Sequence, residues 1–240
     1  MMDKLEEYLR KQNDMLLENF NYVKEKYLTI WEYYNSHMKD CIRECKNDVM
    51  NDLTGPQGIY WIGLNTKIFI IGKENIGWFD NEFSEESTMF KPIEFAYYVV
   101  RAMPNYWSFV KELIQKTINP EIYEKPWIET LQYVSFSNAC KCMSEGKTNQ
   151  ERLLCNCVAD SSYQYIRKEI EVVNSKVNLL FTRNYRVLEK IYNEESISQV
   201  ADEIDITRHE DMVLIETRHP VRASDEWKRK VIEIVKANLQ

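Results

Sequence analysis

The chain has 240 residues, a formal net charge of −7, 44% apolar and 29% charged residues. This length buries a sizeable core, and the composition is that of a globular protein rather than a disordered or fibrous one. No apolar run reaches the roughly 18 to 20 residues of a membrane span, the first residues are acidic and amphipathic rather than signal-like, and the acidic balance argues against indiscriminate coating of nucleic acid. The expectation is a cytoplasmic protein without a membrane partner. Six cysteines fall in close pairs, Cys41 with Cys45, Cys140 with Cys142 and Cys155 with Cys157. Such pairs suit reduced thiols or a metal better than a secreted disulfide frame.

Residues 3 to 48 contain no glycine or proline and repeat apolar side chains at Leu16, Phe20, Val23, Tyr27, Ile30 and Tyr34. This spacing predicts one long helix or two consecutive ones, with the aromatic stripe as packing surface. Thr54-Gly55-Pro56-Gln57-Gly58 is the clearest punctuation, dividing a helical extension (1–54) from a main α/β domain (55–240). A short edge strand is predicted at Ile59 to Ile62 and a β-branched central strand at Lys67 to Ile71. Phe90 to Ile118 reads as helices broken near Pro104, and Leu131 to Ser137 as the next strand. Thr148 to Val173 reads as a helix opened by a Thr148/Glu151 capping box. Val177 to Thr182 is a strand, Tyr185 to Tyr192 a short helix and Met212 to Glu216 a strand. The closing helix, Ser224 to Leu239, is capped by Ser224 with Asp225 and Glu226 in its first turn. Strands alternating with helices predict a parallel sheet covered on both faces.

Two strand ends stand out. "MVLIETRHPVRAS", Met212 to Ser224, runs from a buried strand into a turn holding His219, one of three histidines, locked by Pro220. "KIFIIGKENIGW", Lys67 to Trp78, runs from a strand into Gly72 and a polar turn. Open α/β sheets place ligands beyond the carboxyl ends of their strands, so both ends are expected to face one pocket. Taken singly, His219 is a structural turn residue, Gly72 a turn glycine, and Asn138 the start of an Asx turn. Their placement at corresponding ends of predicted strands favours a shared site.

The order and spacing of "IIGKENIGW", "YVSFSNACKC", "VNLLFT" and "TRHPVRAS" resemble the uracil-DNA glycosylase superfamily over Ile59 to Leu239. The resemblance implies a three-layer α/β/α sandwich with a central four-stranded parallel sheet. It also implies a monofunctional DNA glycosylase acting on a flipped-out uracil or other damaged or modified base. Gly72 then belongs to the first motif, and Glu74 takes the place of the residue that positions or activates water. Asn75 stands where proline is usual, and is the alternative holder of that water. Asn138 matches the asparagine that reads the extruded base, and His219 the histidine that stabilises charge on the leaving base. Phe79, Phe83 and Phe90 are the candidates to stack on the base. Arg218, Arg222, Lys141 and Ser224 complete the DNA-contact set. Arg222 is the wedge or phosphate candidate because Ala223, at the usual wedge position, is too small. Val221-Arg222-Ala223 replaces the Ser-Pro-Leu of the best-known branch, so bulky modified pyrimidines of phage DNA, and a role in antiviral defence, join uracil repair as expected substrates.

That chemistry separates charge between an oxocarbenium-like sugar and an anionic base, which calls for a donor beside the base and a water-holding group on the sugar face. No diffusible cofactor or metal is expected. One branch of the superfamily carries an iron–sulfur cluster, for which Cys142 with Cys155 or Cys157 lie suitably, but Cys41 and Cys45 have three intervening residues where two are usual; packed thiols are preferred. Two competing functions remain: a non-catalytic module of the same fold that contacts DNA, or a protein partner through its amino-terminal helices, and a hydrolase of free nucleosides.

Overall fold

The computed structural model describes residues 14–37, 53–54, 59–72, 104–139, 143–144, 163–183, 186–192 and 196–239, except positions 16, 35, 60 and 126. Among these, the strands are β1 (Ile68–Gly72), β2 (Val134–Asn138), β3 (Val177–Leu180), β4 (Ser198–Ala201), β5 (Ile204–His209) and β6 (Met212–Thr217). The helices are α1 (residues 17–34), α2 (Pro104–Thr117), α3 (Trp127–Leu131), α4 (Tyr163–Val173), α5 (Val187–Ile191) and α6 (Asp225–Leu239). A two-residue ladder pairs Leu53–Thr54 with Met143–Ser144.

The sheet runs in the order β2-β1-β3-β6-β5-β4. β2, β1, β3 and β6 are parallel neighbours, and they are four of the five strands read from the sequence. The expected total of four is corrected to six, because β4 and β5 form a hairpin that extends the sheet antiparallel to β6. Both turns of this β4-β5-β6 meander are tight, joining Ala201 to Ile204 and His209 to Met212, and Glu203 and Glu210 take up their left-handed backbone at φ 58° and 52°. At the other edge, Trp61 makes a single antiparallel bridge to Phe136, so the predicted edge strand at Ile59 to Ile62 is reduced to one pair. The strand predicted from Leu131 begins at Val134, because Leu131 ends α3.

Alternation along the strands divides the core in two. Phe69, Ile71, Leu180, Met212 and Leu214 pack on one face with α1, α4 and α5. Ile68, Ile70, Val177, Leu179, Val213 and Ile215 pack on the other with α2 and α6. Helices thus cover both faces of the sheet, as parallel strands require. The stripe Phe20, Val23, Tyr27, Ile30 and Tyr34 is buried, as its spacing implied. Hydrogen bonds fix α1 in place: the Asn19 amide donates to the Ile62 carbonyl at 2.9 Å and accepts from the Leu64 N–H at 2.7 Å, and the Tyr34 hydroxyl donates to buried Glu169 on α4. Between Ile62 and Leu64, a Cβ on Gly63 would run into the carbonyl oxygens of Leu131, Gln132 and Val134, so the chain passes there only as glycine.

Candidate functional site

The order β2-β1-β3 means the chain turns back across β1 between its second and third strands. Such a reversal, beyond the carboxyl ends of β1 and β3, is the place where open α/β sheets bind ligands. Gly72 and Asn138 are register partners there, and the Ala139 N–H donates to the Gly72 carbonyl at 2.9 Å. Phe181 follows β3, its N–H on the Ile71 carbonyl at 2.8 Å, and His219 lies two residues beyond β6. The structure therefore brings Gly72, Asn138 and His219 to one end of the sheet. Asn138 and the end of β6 are three strand spacings apart, about 14 Å. They stand on two sides of that reversal rather than in contact.

Buried aromatic rings pack between them. Tyr106 of α2 stacks on the His219 imidazole at 5.3 Å and 25°, and meets Phe136 of β2 at 6.0 Å and Phe181 at 5.9 Å. Phe181 also lies edge-on to His219 at 6.0 Å. Burial pushes the Tyr106 phenol well above its ordinary range, so it remains a neutral hydroxyl.

Pro220–Arg222 is a 3₁₀ turn opened by His219, whose Nδ1 accepts from the Val221 N–H at 3.3 Å. An imidazole that accepts through Nδ1 carries its single proton, when neutral, on Nε2. His219 is thereby oriented to present Nε2–H as its donor. Asn138 is buried, with its amide directed at the backbone of Gly72, where a Cβ would strike its Oδ1 and come within 3.5 Å of the Phe136 ring. Gly72→Ala is accordingly expected to displace the Asn138 amide and cost about 1 to 3 kcal/mol, read as a lower urea midpoint. An unchanged midpoint would mean the amide has somewhere else to go.

The remaining predicted residues divide. The Arg218 guanidinium is held by Glu203 of the β4-β5 turn at 2.9 Å and lies over the Trp227 ring at 5.4 Å. Ser224 is the cap of α6, its hydroxyl accepting from the Trp227 N–H at 3.2 Å. Arg222 contributes its backbone to the 3₁₀ turn, and Ala223 packs against the α2/α6 core. Glu74, Asn75, Phe79, Phe83, Phe90, Lys141 and the six cysteines lie outside the described residues. Among the described residues, no group of three histidine, cysteine or acidic side chains is arranged to hold a metal, and no helix is long and apolar enough to cross a membrane.

Sequence reasoning missed Tyr106, Phe136 and Phe181, and also Glu216. On the opposite face of β6, the buried Glu216 carboxylate accepts from the Thr182 hydroxyl at 2.5 Å, the Val187 N–H at 2.8 Å and the Leu188 N–H at 3.4 Å. It ties β6 to the start of α5. Burial raises its pKa against the opposing pull of these hydrogen bonds and of Arg183, which pairs with Asp205 at 2.5 Å. Set against known proteins, the chain matches no protein-family model and no curated protein.

Proposed function

We propose that the chain is a DNA glycosylase that extrudes a damaged or modified base and hydrolyses its N-glycosidic bond. The observation that carries the reading is the state of His219, an imidazole with its proton directed to Nε2, at the same sheet end as buried Asn138. As the bond from C1′ to the base nitrogen breaks, its electron pair moves onto the base, and the Nε2–H of His219 stabilises the charge that develops there. The Asn138 amide, which both donates and accepts, reads the base edge. Water adds to C1′ and releases a proton, with Glu74 or Asn75 as the proposed holder of that water. Extrusion costs about a few kcal/mol, offset by the aromatic surroundings of the pocket.

The test is a base-release screen. Duplex and single-stranded oligonucleotides carrying uracil, mismatches, oxidised bases or phage-type modified pyrimidines are incubated with the protein, and abasic sites are cleaved by alkali. Release of one base class, without added metal, is expected. Binding of DNA or a protein partner with no release from any substrate would instead favour the non-catalytic module, and turnover of free nucleosides alone the nucleoside hydrolase.

A further inference from the structure

Two hydroxyls near His219 have no hydrogen-bond partner among the described residues, although both are buried: Tyr106 Oη on α2 and Thr217 Oγ1 at the end of β6. Thr217 continues the alternation of Val213 and Ile215, which face α2 and α6. It therefore lies on the face that carries Tyr106. A buried hydroxyl left unpaired is costly, and native structures rarely keep one without a reason. Tyr106 is also unusual in its position, because its ring touches one residue within β2 and two just beyond β3 and β6: Phe136, Phe181 and His219. A phenylalanine would make the same ring contacts, so packing alone does not explain the oxygen.

We infer that Tyr106 is a specificity-determining residue whose hydroxyl finds its partner in the bound nucleobase, donating to a carbonyl oxygen or unprotonated ring nitrogen of the base. This rests on the glycosylase reading, and adds to it a base contact from a helix. His219 and Tyr106 then form a stacked pair of donors on one side of the base, with Asn138 on the other. An unpaired buried donor also discriminates. A base that presents an N–H or a hydrogen where the phenol needs an acceptor leaves that donor unsatisfied and is rejected.

The experiment is Tyr106→Phe, which removes one oxygen and keeps the stack on His219. On the base the wild type releases best, kcat/KM is expected to fall about ten- to a hundred-fold. On an analogue of that base with the accepting carbonyl replaced by hydrogen, wild type and variant should react alike, so selectivity collapses. The urea midpoint of the variant should equal or exceed the wild type's, separating recognition from folding. Unchanged selectivity in a folded, active variant overturns the inference and leaves the glycosylase reading intact. Should the wild type release no base, that reading fails, and thermal shift with free uracil and hypoxanthine decides the rest. Stabilisation of the wild type that disappears in Tyr106→Phe still assigns the hydroxyl to a base, whereas no shift with either probe overturns it.

Discussion

His219→Ala is expected to lower single-turnover base release by about a hundred- to a thousandfold, with little change in DNA affinity. Loss of one donor aimed at developing charge typically costs about 3 to 4 kcal/mol of barrier, because the compensation is needed in the transition state and hardly at all before it. The position of His219 supports an effect of that size. Its ring is stacked on Tyr106 and edged by Phe181, so the donor is held in place before the reaction rather than recruited during it. The bond from the Val221 N–H that the substitution removes is exposed, so its loss costs the fold little. His219→Gln is a useful companion: its amide restores a donor but not the stacked ring, and an intermediate rate is expected. The measurements are alkali-revealed abasic sites under enzyme excess and fluorescence anisotropy with the same oligonucleotide. Wild-type release by His219→Ala would remove the imidazole from the chemistry.

What the sequence reveals follows from how each element is stabilised. The parallel strands are buried on both faces; Ile68 to Ile71 shows this as an unbroken apolar run, and Val177 to Leu180 as one interrupted only by Asn178. The β4-β5 hairpin lacks such a signature. Its outer strand, Ser198–Ala201, is largely exposed, and the meander's turns use Glu203 and Glu210 in a left-handed conformation where Asn-Gly or Asp-Gly would have announced them. The run at Leu131 to Val134 misleads for the opposite reason, since short apolar stretches end helices as readily as they start strands. The site divides in the same way. Asn138 and His219 are legible because polar residues ending buried strands are conspicuous. Tyr106 sits in "NYWSFV", where an aromatic on an amphipathic helix looks like any other core residue, and only tertiary packing against three strands distinguishes it.

Glu216→Ala is expected to cost about 3 kcal/mol of folding stability, the second large effect. The substitution strands the Thr182 hydroxyl and the Val187 and Leu188 N–H groups in a buried place, and each unpaired group carries about 1 to 3 kcal/mol, partly returned by the removal of a buried charge. For a chain of this size the melting temperature should fall by about 6 to 12 °C. Glu216→Gln isolates the charge. The raised pKa means the neutral carboxyl stabilises the native state fully below the ordinary value of 4.5, and that contribution is lost as pH rises through the folded-state pKa. Glutamine does not titrate, so the variant's urea midpoint should gain on the wild type's between that pH and neutrality. A difference that stays flat would mean Glu216 keeps its ordinary pKa. The consequence reaches the candidate site, because Glu216 pins the chain between Phe181 and α5, and Phe181 edges against His219. Glu216→Ala should therefore slow base release even at temperatures where the protein remains folded, and Glu216→Gln, which keeps the Thr182 and Val187 bonds, should restore most of it.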